Sequence, residues 1–239
     1  MQQVKERILK ISEIKNETPT VKSFRAELPK DADIDFYPGQ FFMVSFPDNS
    51  EIKTARAYSI SSSPAEKAHL EIALNKVGPF TAKMFAINPG DMLKFKGPYG
   101  KFFFSEEIKN EIILIAGGTG ITPLIGIARY CSDKNIQNKI KLFYSVKSPQ
   151  EIIFHDEIKK LRQKNSNFEY FITITKAEAN HAWDGGRGRI APQLLKENIE
   201  NIHDCTYFLC GSKEFVASII SMLESLGAKR EQIKTDVWG

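Results

Sequence analysis

The sequence is short of most features that assign a protein to a class at sight. Its three cysteines, Cys131, Cys205 and Cys210, are scattered and odd in number. They suggest neither a disulfide framework nor a metal cage, and they point to a reducing, cytoplasmic setting. His69, His155, His181 and His203 stand alone, none at metal-ligand spacing. No apolar run is long enough to span a bilayer, and the opening MQQVKERILK has no signal-peptide core. The net charge of +4 comes without a basic stripe of the kind that grips nucleic acid. There is no Gly-x-Ser-x-Gly elbow for a nucleophilic serine and no Gly-Lys-Ser/Thr ending for a nucleotide kinase loop.

What is present is an ordinary soluble composition, 42% hydrophobic, in 239 residues, enough for two small domains that each bury a core. The first half reads as strands. RILKISEIK, VKSFRAEL, QFFMVSF, RAYSIS, HLEIALNKV and DMLKFKG carry alternating or β-branched apolar residues. Turn signals separate them at Tyr37-Pro38-Gly39, Pro47-Asp48-Asn49 and Asn88-Pro89-Gly90. This predicts a six-stranded antiparallel β-barrel with one helix, at FTAKMFA. The second half alternates strand and helix. EIILIA, IKLFYSV, FEYFITIT, TYFLCGS and IKTDVW are the strands, with helices from Pro123, at HDEIKKLRQK, at PQLLKENI and at EFVASIISMLESL. That pattern predicts a doubly wound α/β domain on a parallel five-stranded sheet. In the last helix Phe215, Ile219, Leu223 and Leu226 line one face and Gly227 stops it. The division falls near residue 107, giving domains 1–107 and 108–239. Ser148 to Glu151, SPQE, reads as a capping box for the following helix.

The stretch LIAGGTGITPLIGIARY joins an apolar strand to an apolar helix through Gly117, Gly118 and Gly120. Glycines there let the backbone turn sharply and approach a ligand, with Thr122 as N-cap and Pro123 at the first helical position. The free amides of such a helix start suit a phosphate. The usual dinucleotide fingerprint is broken, since Pro123 stands in place of its third glycine.

RAYS in the barrel, GGTGITP at the first turn of the sheet and CGS at the end of a later strand occur in that order. Together they resemble the ferredoxin–NADP reductase family of flavoproteins, over essentially the whole chain. The resemblance implies FAD on the barrel and NADP(H) or NAD(H) on the sheet. It places Arg56 on the flavin nucleotide's pyrophosphate, Tyr58 against the isoalloxazine and Ser59 near flavin N5, with Ala57 also among the cofactor-binding residues. It assigns backbone groups at Leu74 and Asn75 to the flavin nucleotide, and Gly78 and Thr81 to its pyrophosphate, although Gly78-Pro79 replaces the commoner double glycine. Gly118, Thr119 and Gly120 would face the nicotinamide nucleotide's pyrophosphate, with Thr122 close to the flavin edge. Cys210 and Gly211 would shape the hydride-transfer geometry, and Trp238 would cover the flavin ring. Asp236 stands where the family more often has glutamate. Thr175, Lys176 and Arg187 would favour the 2′-phosphate of NADP(H), because no acidic residue ends the second strand of the sheet, where Lys147 stands. The implied activity is hydride transfer between nicotinamide and flavin. Electrons would then pass to a separate redox protein: ferredoxin, flavodoxin or an oxygenase component. Alternatives left open are a flavin or quinone reductase, an electron-transfer subunit of a larger complex, and a nucleotide-binding module without turnover.

Overall fold

The structure, a computed structural model, describes residues 3–30, 34–47, 50–176 and 183–238, apart from the Trp238 side chain. The predicted Asp48-Asn49 turn and His181 lie outside the described residues.

The first six strands are β1 (Lys5–Asn16), β2 (Val21–Glu27), β3 (Phe41–Ser45), β4 (Arg56–Ser59), β5 (His69–Asn75) and β6 (Met92–Tyr99), with α1 (Pro79–Ala86) between the last two. They form one antiparallel sheet in the order β4-β3-β6-β1-β2-β5. Inward-facing apolar residues, among them Phe24, Val44, Ile72 and Phe95, fill the interior. The sheet curls until its two edges nearly meet. They touch at one antiparallel bridge, Ile60 to Ile72, backed by the Ser61 amide donating to the Glu71 carbonyl at 2.8 Å. The predicted six-stranded barrel is therefore present, closed by a narrow seam between β4 and β5.

The second half contains β7 (Glu111–Gly117), α2 (Ile121–Asp133), β8 (Ile140–Val146), α3 (His155–Lys164), β9 (Phe168–Ile174), β10 (Gly186–Arg187), α4 (Pro192–Asn198), β11 (Cys205–Ser212), α5 (Lys213–Ser225) and β12 (Ile233–Trp238). All neighbouring strands run parallel in the order β10-β9-β8-β7-β11-β12. The sheet has six strands, not the expected five. The extra one is the two-residue β10, paired at the edge with Thr173 and Ile174. Two residues carry no periodicity, so a glycine-rich loop and so short a strand look alike in sequence. The β7 core residues Ile112, Leu114 and Ala116 pack on α2 and α3, and Ile113 and Ile115 on α4 and α5. Burial on both faces is why these strands read as continuous apolar runs. At the end of α5, Gly227 sits at φ +98° and the Ala228 amide reaches the Leu223 carbonyl at 2.9 Å, a left-handed stop.

Two local expectations are corrected. SPQE does not cap α3. Its Ser148 hydroxyl makes no cap bond, and the Glu151 amide donates to the Ser148 carbonyl at 3.1 Å in a short 3₁₀ turn. Thr122 is not the N-cap of α2 and Pro123 is not its first residue. A 3₁₀ turn at Gly118–Gly120 runs directly into the helix, which starts at Ile121 with Gly120 as cap. The Thr122 hydroxyl instead donates back to the Thr119 carbonyl at 2.9 Å.

Helix α2 lies across the barrel seam. A side chain at Gly126 would bring its Cβ within 2.7 Å of the Ile60 carbonyl oxygen, so the helix rests directly on backbone there. Three residues on, Arg129 donates to the carboxylate of Glu71, a residue only 2% exposed. Burial alone would raise the Glu71 carboxyl. The Arg129 guanidinium, with hydrogen bonds from Arg129, Arg25 and Ser61, outweighs that and lowers it from 4.5 to about 2. Glu13, Glu157 and His69 are among the titratable groups around this cluster, with Glu17, Asp156 and Lys160 close by. A depressed carboxylate pKa contributes stability above pH ~4.5, which is lost as pH falls toward ~2. Glu71→Gln should therefore remove a contribution of roughly 3 kcal/mol at neutral pH and flatten the acid limb between pH ~4.5 and ~2. Urea midpoints of both proteins measured across that window check this, and parallel acid limbs would contradict it.

Candidate functional site

The glycine turn after β7 and the Cys210-Gly211 step of β11 lie side by side at the carboxyl end of the sheet. The chain leaves β7 for β8 and β9 on one side and later returns to β11 and β12 on the other. That switch in strand order opens a crevice between neighbouring strand ends, the usual place for a ligand in such sheets. The barrel's β4 and β5 stand opposite the crevice.

Two cavities occupy it. The barrel-side cavity, about 410 Å³, has β4 as one wall through Ala57, Tyr58 and Ser59, and β5 as another through Ala73, Leu74 and Asn75. Thr81 at the start of α1 closes one end. The sheet domain supplies the far side through Thr119, Thr122 and Pro123 of the turn, Cys210, and Asp236 with Val237 on β12. The sheet-side cavity, about 350 Å³, runs from Gly117, Gly118 and Thr119 past Ser145, Val146 and Lys147 to Glu151 and Thr175, with Ser212 and Phe215 behind. The β1–β2 turn reaches across to it with Thr18 and Thr20. Asn75 and Thr119 line both cavities, so the two spaces share a wall.

The glycines of the turn divide the work. Gly118 sits at φ +55°, and a Cβ there would meet nothing within 4 Å, so its bare face is open space beside the cavity. Gly120 has an ordinary helical backbone, but a Cβ on it would collide with the Cys210 carbonyl oxygen. A Cβ on Gly117 would strike the Phe215 ring at 2.9 Å. Gly120 lines neither cavity, and its missing side chain lets the turn pack directly onto β11. Buried Tyr144 holds the turn from beneath, its hydroxyl donating to the Gly118 carbonyl at 3.0 Å and accepting from the Ile153 amide at 3.3 Å.

Where the domains meet, three polar side chains converge from three strands. The Cys210 thiol reaches the Asp236 carboxylate at 3.9 Å, and Ser59 also hydrogen-bonds that carboxylate. Burial, and then the neighbouring Asp236, push the Cys210 thiol well above its ordinary value, so it stays protonated at neutral pH and is no thiolate nucleophile. Burial likewise raises the Asp236 carboxyl, against the hydrogen bonds from Cys210 and Ser59. Burial carries the Tyr58 phenol up to about 12, leaving it neutral.

Of the remaining predicted residues, Arg56 is exposed, its guanidinium donating to the Ala55 carbonyl at 3.3 Å. It shares a strand face with Tyr58, two residues on, but lines neither cavity itself. Gly78 lies behind the wall, its amide donating to the Thr81 hydroxyl at 2.9 Å. Gly211 backs onto the Phe215 ring. Lys176 and Arg187 are exposed and line neither cavity. Trp238 pairs with Ser212 through the strand backbone, while its side chain lies outside the description. Thr18, Thr20, Tyr144, Ser145 and Glu151 are site residues that the sequence reading does not single out. The strand-end rule could have found Ser145; nothing local marks the others.

The cavities fit a flavin and a nicotinamide nucleotide. Asn75 Oδ1 is buried with no hydrogen-bond partner among the described residues, at the wall both cavities share, and the open face of Gly118 is a cradle that a Cβ would fill. A long apolar-walled slot against a glycine turn at a helix start is the layout of a two-nucleotide oxidoreductase. Known proteins share it. The oxidoreductase FAD-binding domain family matches residues 8–104, and the oxidoreductase NAD-binding domain family residues 114–220. The chain belongs to the ferredoxin reductase family of FAD- and NAD-binding flavoprotein oxidoreductases. Among curated proteins it is similar to a subunit of the Na(+)-translocating NADH-quinone reductase of a Marinomonas species, 29% identical over 215 residues, 84% of this chain and 52% of that one. The same subunit of the Psychrobacter cryohalolentis enzyme is 30% identical over 217 residues, 84% of this chain and 52% of that one. The chain thus spans about half the length of the curated relatives it matches. The solved FAD/NAD-binding domain of Vibrio cholerae nitric oxide dioxygenase superposes with a TM-score of 0.85 at 25% identity over 98% of both chains. A ferredoxin NADP+ reductase from Neisseria gonorrhoeae, solved with FAD and NADP, has the same fold, with a TM-score of 0.81 at 24% identity over 97% of this chain and 98% of that one.

Gly118→Ala and Gly120→Ala should separate the two roles within the turn. The first fills open space at a positive φ, costs about 1–2 kcal/mol of stability and weakens nicotinamide nucleotide binding. The second collides with β11 and costs more stability. Thermal unfolding paired with nucleotide titration distinguishes them; equal stability losses would contradict the assignment.

Proposed function

We propose that this protein takes a hydride from NADH onto FAD and hands the electrons on to a separate redox protein. The observation that carries this reading is the wall shared by the two cavities, Asn75 and Thr119, which brings a ligand on the barrel and a ligand on the sheet into contact range. Bound FAD supplies the hydride-accepting ring and the capacity to release electrons singly. The protein's part is alignment and electrostatics. Tyr58 gives the ring of the bound cofactor an apolar face, and Ser59 offers it a hydroxyl. Arg56, exposed on the strand that carries Tyr58, would swing onto a phosphate as a guanidinium fork. Leu74 and Asn75 hold one edge, and the first turn of α1, where the Thr81 hydroxyl already takes up the Val77 and Gly78 amides, would present the Phe80 and Thr81 amides to a pyrophosphate. Cys210, neutral and small, keeps the pyridine side of the crevice close and dry, and Asp236 orients its thiol. Among the site residues, the Trp238 stacking role is the resemblance's alone.

Donor preference turns on Glu151. The sequence lean toward NADP(H) rests on Thr175, Lys176 and Arg187. Of these only Thr175 lines the sheet-side cavity, whereas Glu151 lines it together with Lys147. A carboxylate accepts from a ribose hydroxyl and repels a phosphate. The curated relatives are named for NADH.

A second reading, an electron-entry subunit of a larger complex, is favoured by those same relatives, which are subunits. In either case ferredoxin, flavodoxin or an oxygenase component is the type of acceptor proposed. A cytoplasmic setting suits three free cysteines, and no helix among the described residues is long and apolar enough to cross a membrane.

Anaerobic mixing of the FAD-loaded protein with NADH and NADPH in parallel tests the reading. NADH should bleach the flavin faster, and failure of both to bleach it would overturn the proposal. Ser59→Ala should stay yellow yet bleach roughly thirtyfold more slowly, as loss of a hydrogen bond worth about 2 kcal/mol at the reacting centre requires. An unchanged rate would remove Ser59 from the site.

A further inference from the structure

A chain of alternating charges crosses from one domain to the other. Glu13 on β1 pairs with Arg25 on β2 at 2.7 Å, and Arg25 with Glu71 on β5 at 2.8 Å. Glu71 pairs with Arg129 on α2 at 2.6 Å, and Arg129 with Glu157 on α3 at 3.4 Å. The centre of the chain is the barrel seam itself. The Glu71 backbone carbonyl accepts from both the amide and the hydroxyl of Ser61. Its amide donates to the Ser62 hydroxyl at 3.0 Å, and its carboxylate accepts from the Ser61 hydroxyl at 2.8 Å. Arg129 also donates to the Ser61 carbonyl at 2.8 Å and lies 5.1 Å over the Phe154 ring. One guanidinium therefore bonds both edges of the seam from the other domain.

We propose that Glu71 and Arg129 are positioning residues, fixing the register of α2 on the barrel seam and through it the separation of the two cavities. The reading rests on the function proposed above. Strand β5 carries Glu71 at one end of the contact and Leu74 and Asn75, three and four residues on, in the cavity wall. Helix α2 carries Arg129 at the same end and Thr122, seven residues back, in the same wall. Clamp and cavity are thus joined by two stiff rods, about 13 Å of strand and about 10 Å of helix. A shift at the clamp is delivered to the reacting ends with little loss. Apolar contact alone would hold α2 against the seam, yet allow it to slide or roll. Gly126, with no side chain between helix and Ile60, offers no steric stop. The directional fork of Arg129 supplies one. Buried ion pairs are weak stabilisers beside apolar packing, and fixing one arrangement is their better-attested use.

The test uses the full chain loaded with FAD, as Glu71→Gln and as Arg129→Lys, which keeps the charge but not the fork. Both variants should hold FAD and NADH within about twofold of the parent affinity. Their limiting rate of flavin bleaching at saturating NADH should fall at least tenfold, since a displacement of about 1 Å at the reacting atoms has effects of that order or larger. Amide hydrogen exchange should quicken at Ile60, Ser61 and along α2, and not in β8 or β9. A limiting rate within twofold of the parent with unchanged exchange at the seam would overturn the proposal, as would exchange that quickens uniformly through both domains. In the parent protein the amides of Ile60 and Ser61 should exchange together with those of α2. Independent exchange there overturns the proposal even if neither variant folds. If the parent itself is not bleached by NADH or NADPH, the functional reading fails, and the exchange experiment still decides the brace.

Discussion

A sheet that closes on itself through one bridge has an unfinished edge, and the rest of this molecule is arranged around that edge. Between Ile60 and Ile72 the barrel's two outer strands exchange few backbone bonds of their own. Open strand edges are normally covered, charged or paired. Here the cover is α2, brought so near that only glycine fits at position 126. The seam's polar groups are met by Ser61, Ser62 and Arg129. The same helix begins at the glycine turn, so one element both finishes the barrel and presents the sheet's ligand-facing end to it.

The chemistry in the crevice follows from dryness. Ser59, Cys210 and Asp236 come from three strands in two domains and meet in a space that burial keeps poor in water. Burial favours neutral forms, which is why the thiol is inert as a nucleophile and the carboxyl is raised. The sheet-side cavity is different in kind: Lys147, Glu151 and Thr175 around it are exposed and face solvent. The site grades from a half lined mainly by apolar and neutral side chains to a half ringed by charged ones, as expected for ligands with a flat ring at one end and phosphates further along.

Much of the fold is legible because it is written in local periodicity. Every predicted strand of the barrel is found, and EIILIA reads as a strand covered on both faces because it is one. RAYS and CGS are legible as motifs, and both line the barrel-side cavity through Ser59 and Cys210. The misses are of one type. SPQE has the residues of a capping box, but a 3₁₀ turn uses the backbone first. Thr122 has the right chemistry for an N-cap, but the helix starts two residues earlier than that would place it. Gly120 reads as a turn glycine, and nothing near it in the sequence tells that a strand more than eighty residues later fills the space a side chain would need. Glu71 looks like a surface charge in the alternating HLEIALN. Nothing within that strand tells that two arginines, from β2 and α2, will bury it. Contacts set by tertiary packing leave no mark on neighbouring residues.

The position of α2 bears on how such a protein can be divided. By sequence the chain splits near residue 107, and a graft made there would on paper exchange one nucleotide-binding half for another. Structurally the barrel's last closure belongs to a helix on the far side of that cut. A chimaera would inherit a barrel whose rim awaits an arginine and a glycine at matching places on a foreign helix. Interchange of halves between relatives is therefore constrained less by the linker than by a short stretch, Gly126 to Arg129, well inside the second domain.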